Sequence, residues 1–207
     1  NDLAVSSTSN LGANVTTSGN QTYSNAVTVS ADKTLTSSGT GDILFSSTTD
    51  GAQILTLSTN GNVTFIGAVG GTTGLNGLTS DSAAFTAAAI KVGGTISITN
   101  SGTGSITGVI SDDGLSAASL TKNGAQTLTL TGVNTFTGDI TITDGDLSID
   151  GVGQLGSGTY AGAISVGAGD DLIYTSTAAQ TLSGVISGLG GVVKEEDSVL
   201  TLSGDNT

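Results

Sequence analysis

Apolar residues alternate with threonine or serine in short runs along the whole chain. The pattern is clearest in Thr95-Ile96-Ser97-Ile98-Thr99, Thr127-Leu128-Thr129-Leu130-Thr131 and Thr141-Ile142-Thr143. A period of two sends Leu or Ile to one face and hydroxyls to the other, which predicts half-buried strands. β-Branched Thr favours the same pleated backbone. No stretch carries the spacing of an amphipathic helix. The alanine-rich segment from Ser82 to Ile90 is short and ends on a β-branched residue, so it reads as a strand or a single turn joining two sections. Corners rich in Gly, Asn and Asp separate the runs, as in Ser38-Gly39-Thr40-Gly41-Asp42, Thr59-Asn60-Gly61-Asn62 and Thr143-Asp144-Gly145-Asp146. Gly and Asn accept a positive φ at little steric cost.

Strand, corner, strand fits a sandwich or a solenoid, and internal repetition separates them. Gly108-Val109-Ile110-Ser111 recurs as Gly184-Val185-Ile186-Ser187, and the run from Leu128 to Thr135 recurs as Leu200 to Thr207. The second offset is slightly the shorter, which points to a loop insertion near Asp112-Asp113-Gly114. With coils of roughly 20 residues the offset covers three or four coils and the chain roughly ten. The expected fold is all-β: a β-helix with Leu, Ile and Val stacked inside and Thr and Ser facing water. The aromatics Phe45, Phe65, Phe85, Phe136, Tyr160 and Tyr174 are expected as interior stack or cap residues.

Composition removes most site chemistry. Of 207 residues 33 are Gly and none is Pro, Cys, Met, Trp or His; 4 basic residues face 17 acidic ones, for a formal charge of −13. The basic residues are Lys33, Lys91, Lys122 and Lys194. Without arginine, and with a repelling field, nucleic-acid binding is not expected. Without His or Cys there are no zinc, haem or iron–sulfur sites of the usual kinds, no Ser–His pair and no thiol nucleophile. Absent Pro suits interior strands that cannot spare an N–H. No apolar run reaches the length of a membrane span. The chain is expected to be a segment of a longer protein, with leader, anchor and any barrel outside it.

At residues 120–147 the chain resembles the autotransporter-associated β-strand repeat of bacterial secreted passengers. Lys122, Gly124, Leu128, Leu130, Gly132, Asn134, Phe136, Gly138, Gly145 and Leu147 fill that pattern, and Gln126 stands where a second Gly is usual. A truncated copy occupies 193–207, with Glu195-Glu196-Asp197 in place of the Gly-rich turn. The N-terminal part is similar to a repeat of filamentous-haemagglutinin-like surface proteins, through Thr22 to Val29, Asp42 to Phe45, Val63-Thr64-Phe65 and Gly67 to Leu75. These resemblances divide the chain into 1–90 and 91–207 within one continuous solenoid. They imply a right-handed parallel β-helix, exported to the bacterial surface or beyond, working in adhesion or extracellular matrix. The implied partners are host or neighbouring-cell surfaces, matrix glycans or other copies of the chain.

Carboxylates and corner carbonyls together are the oxygen ligands that calcium takes. Asp170 and Asp171, in a single partial match to a calcium-binding nonapeptide, and Asp144 and Asp146 are the candidate ligands; otherwise no cofactor is expected. Paired carboxylates also serve glycosidases, but neighbours on a strand point to opposite faces, so Asp112-Asp113 and Asp170-Asp171 make poor acid–base pairs. No enzyme is expected. Lys122 and Lys194 hold equivalent repeat positions, which points to a structural role at a corner. Three further readings stay open: self-assembly into filaments through strand edges, ice binding by outward threonine ladders, and polysaccharide processing.

Overall fold

A computed structural model describes residues 1–207 as parallel strands stacked into a β-solenoid of nine complete coils, with a tenth begun. Each coil crosses three faces in turn. Face 1 is a ten-stranded sheet running from Leu3–Val5 to Gly191–Lys194, and face 3 a nine-stranded sheet from Val15–Thr17 to Ile186–Gly188. Face 2 is shorter and interrupted: it begins with Ser9–Leu11, Val27–Val29 and Thr49–Asp50, continues through Ile90–Val92 and Ile110–Asp112, and ends with Thr159–Tyr160, Gln180–Leu182 and Leu200–Leu202. Single bridges from Val69 to Thr49 and to Ile90 join its first two parts. Ser82 to Ile90 forms no helix; it holds the end of one strand, all of Phe85–Ala87 and the start of another.

Alternation decides what lies inside. On face 3, Leu55, Leu78, Ile96, Leu120, Ile140, Ile164 and Ile186 stand one above another in register, and all are buried. They belong to one core of 39 buried apolar residues. Each such side chain contributes about 1.5–3 kcal/mol on leaving water. On face 1 the register stacks rings: Tyr23 on Phe45 at 5.0 Å and 9°, and Phe45 on Phe65 at 4.6 Å and 6°. Phe85 enters two positions earlier in its strand, opposite Val63, and tilts by 57° against Phe65. Phe136 and Tyr160 meet edge to face at 5.5 Å. The six expected interior aromatics are all buried, and Tyr23 joins them.

Coil length is uneven. Leu3 pairs with Gln21 in the shortest coil of face 1, and Leu147 with Leu172 in the longest. Corners absorb the variation while the strands keep register. The insertion expected near Asp113 is one such corner, in the long coil that separates Gly104 from its partner Leu128. Its Leu115 is 91% exposed. Asp113 holds the loop by accepting the N–H groups of Leu115 at 2.8 Å and Ser116 at 2.9 Å. The N–H of Ser116, then that of Leu115, keep its carboxyl below the usual carboxylate range.

Where corners stack, main chains approach too closely for a Cβ. Gly138, Gly162 and Gly184, each just ahead of a face 3 strand, form such a column with Gly204 stacked next: a Cβ on Gly184 would lie 2.1 Å from the Gly162 carbonyl, and one on Gly204 2.2 Å from that of Gly184. The obstacle is backbone and cannot swing aside. Gly184→Ala should therefore destabilise the fold by about 2–3 kcal/mol. Gly12→Ala, where a Cβ meets nothing within 4 Å, should leave the thermal melt nearly unchanged, and comparing the two melts checks the column.

Candidate functional site

The densest group of charges lies where face 3 hands over to face 1, across three stacked corners. Lys122, at the end of Ser119–Asn123, is fully buried. Its Nζ donates to the carbonyls of Asn123 at 3.1 Å, of Gly124, and of Asp144 one coil on at 3.0 Å. In the following coil Asp170 turns inward and accepts the Gly145 N–H at 2.8 Å, while Asp146 accepts the Asp171 N–H at 3.0 Å. The four aspartates expected as calcium ligands lie in two adjoining corners, Asp144 and Asp146 in one and Asp170 and Asp171 in the next. Two of the carboxylates are engaged by main-chain N–H groups, and Asp144, Asp146 and Asp170 act on the ammonium of Lys122, opposing the burial that lowers its pKa. No group of three or more His, Cys, Asp or Glu side chains is placed to hold a metal ion.

Side-chain amides replace strand pairing where face 2 is interrupted. Asn134 accepts the Ile110 N–H at 2.9 Å and donates to the carbonyls of Gly132 at 2.8 Å and Gln154 at 3.0 Å. Gln180 accepts the Leu155 N–H at 2.8 Å and donates to the Leu155 carbonyl at 3.0 Å, as a neighbouring peptide group would. Both are buried, where a lost partner costs about 1–3 kcal/mol. Gln180 carries no motif in the sequence, and no signal short of the coil lengths around it identifies its role.

The repeat equivalences hold in three dimensions with one displacement. Lys194, like Lys122, donates to the two carbonyls that follow it, those of Glu195 and Glu196, and it also lies 5.6 Å from the Tyr174 ring centre. Asn206 accepts the Ile186 N–H at 2.8 Å, as Asn134 accepts that of Ile110. Yet Lys122 ends a strand of face 3 and Lys194 one of face 1; Leu128–Leu130 lies on face 1 and Leu200–Leu202 on face 2. The second copy is the first moved on by one face.

Most other aspartates do similar work. Ten of the fifteen accept a main-chain N–H: Asp2, Asp32, Asp42, Asp50, Asp112, Asp113, Asp139, Asp146, Asp150 and Asp170. At one corner they form a ladder with asparagine, Asp2 to Asn20 to Asp42 to Asn62, each side chain accepting the N–H of the equivalent residue one coil later. Asp112 and Asp113, considered above as an acid pair, are both held this way.

The outer surface has no pocket. Its most regular feature is on face 3, where Thr34, Thr56, Thr79, Ser97, Thr121, Thr141, Ser165 and Ser187 stand in unbroken register on eight successive strands. The unequal coils do not disturb this column. The outward column of face 1 is interrupted by Leu44, Ile173 and Val193.

This geometry defines a repeat solenoid whose polar groups serve its own stacking. Residues 120–149 match the passenger-associated-transport-repeat, a repeat of autotransporter passenger domains. The matched stretch begins in the face 3 strand that contains Lys122, covers the coil from Leu128 and ends in the face 1 strand of Leu147. No curated protein and no solved structure matches the chain. The repeat and the solenoid fit a structural passenger segment, and the family implies an exported surface protein.

The buried phenols give the fold an alkaline limit. Burial pushes the hydroxyls of Tyr23, Tyr160 and Tyr174 above the ordinary tyrosine range. Groups whose pKa is raised on folding stabilise fully below their unfolded value, about 10, and that stability is lost as pH rises towards the folded value. Lys122, shifted downward by burial, works in the opposite direction as its cost is relieved with rising pH. With three phenols against one ammonium, stability should fall above about pH 10. Phenolate absorbance followed together with circular dichroism should rise in step with loss of β-structure; free tyrosine titration in a folded chain would contradict it.

Proposed function

We propose that the chain is a non-enzymatic structural segment of an exported bacterial surface protein, a stiff solenoid rod that acts in adhesion or extracellular matrix. One observation carries this reading: many of the charged and amide side chains, the buried ones above all, are committed to the main chain of a neighbouring coil. Asp146, Asp170, Asn134, Gln180 and Lys122 all bond backbone groups one coil away. The ten strands of face 1, spaced at about 4.8 Å, give the segment a length of about 43 Å. Contacts with cell surfaces, matrix glycans or other copies would be spread along this length, with avidity growing as repeats are added.

Beads coated with the purified chain, and with tandem copies of it, should be retained on cells or matrix more strongly as copy number rises. Retention no greater than that of an unrelated solenoid would overturn adhesion, and turnover of a polysaccharide would overturn the non-enzymatic reading. Regular end-to-end fibres in electron micrographs would favour self-assembly instead.

The hydroxyl column of face 3 favours ice binding as a second reading. Its members repeat about every 4.8 Å along the rod, and a second column, Thr36, Ser58, Asp81, Thr99 and Asn123, runs about 6.6 Å beside it. β-Branched threonines present hydroxyl and methyl in few orientations, as an ordered water lattice requires. The wild-type chain should then show thermal hysteresis that Thr121→Tyr removes and Thr129→Tyr, on face 1, leaves intact. Absence of hysteresis at the highest soluble concentration would end this reading.

A further inference from the structure

The chain holds three Asn-Gly pairs, Asn60-Gly61, Asn76-Gly77 and Asn123-Gly124, and at Gly61 and Gly124 the stacked main chain leaves no room for a Cβ. Such a pair is chemically labile, because a glycine without Cβ lets its backbone nitrogen reach the preceding carboxamide. The fold treats the three pairs differently. Asn76 is tied through its side chain, which donates to the Ala52 carbonyl at 2.8 Å, and through its N–H, which donates to the Gln53 carbonyl at 3.0 Å. Asn123 sits in a strand paired with Thr99; its carboxamide donates to the Ser97 hydroxyl at 3.2 Å and its carbonyl accepts from Lys122. Asn60 is exposed, lies in a bend between two strands, and its carboxamide takes part in none of the hydrogen bonds. The Gly61 N–H donates only to the hydroxyl of Thr59, at 2.9 Å.

We propose that Asn60 is a site of spontaneous deamidation in the folded protein, with water as the co-reactant. Base removes the proton of the Gly61 N–H, and the nitrogen attacks Cγ of Asn60. The new N–Cγ bond forms as the Cγ–Nδ2 bond breaks, and the leaving nitrogen departs as ammonia. Water then opens the cyclic imide at either carbonyl, giving aspartate or, with the main chain routed through Cγ, isoaspartate. No redox partner is needed. Each event adds one negative charge at the corner, and isoaspartate lengthens the main chain between Thr59 and Gly61. The corner is tightly built there: Thr59 is buried and donates to the Gly41 carbonyl, and a Cβ on Gly61 would lie 2.6 Å from that same oxygen. The modification therefore marks the age of a molecule and loosens the stacking of two neighbouring coils.

Incubation of the intact chain in mildly alkaline buffer, followed by peptide mapping and isoaspartate detection, tests this directly. Conversion at Asn60 should run well ahead of conversion at Asn76 and Asn123, and Asn60→Gln should remove most of the early product. In urea, with the fold lost, the three sites should react at similar rates. Asn60 remaining as stable as Asn76 and Asn123 in the folded chain would overturn the proposal, as would the same ranking of the three sites in urea.

Discussion

Every coil of this protein must satisfy the main-chain N–H and C=O groups of the coils beside it, and that requirement governs the rest. Parallel strands on the inside of a stack have no water to turn to, so an unpaired peptide group there is costly. Of 119 main-chain hydrogen bonds, 62 lie within strands and 57 at corners and between them. An interior proline would remove a donor, and the chain has none. Where strands pair, backbone meets backbone. Where they part, as around Asn134 and Gln180, a side-chain amide takes the peptide's place.

The same requirement accounts for much of the acidity. Most aspartates stand at corners, where the chain leaves the sheet and an N–H of the next coil has no carbonyl opposite. A carboxylate accepts such a bond strongly, and with few lysines to offset it the net charge accumulates. Lys122 is the converse case: it meets carbonyls that point into a corner with no donor above them. Charge that resembles a ligand site in the sequence is thus largely scaffold, which agrees with a passenger-type rod.

Two copies of one motif lying on successive faces show at what scale the repeat operates. The motif is a strand, a lysine-closed corner, a strand and an asparagine staple, and each part bonds neighbours without reference to which face it occupies. Followed coil by coil, Leu128 stacks on Leu147, then Leu172, then Val192, whereas the motif itself recurs only at Leu200, beyond that third coil. It need not return to the same side of the rod. Coils of unequal length are tolerated for the same reason: their strands align locally and the excess leaves as loop at Leu115 or beside Tyr160.

Strand positions, the inward set of Leu, Ile and Val, the interior aromatics and the structural role of Lys122 were legible in the sequence. They depend on alternation and on repetition over short stretches, and burial follows from them directly. The sequence also marked Asp144-Gly145-Asp146 and Asp170-Asp171 as two acidic corners. It did not reveal what those corners bond, nor that Gln180 imitates a strand, nor that eight hydroxyls align on face 3. Those facts depend on which residue lies one coil away, and that spacing is not constant: Leu3 meets Gln21, but Leu147 must wait for Leu172. Only the stacked chain sets it, because each corner takes whatever length lets the next strand meet its partner.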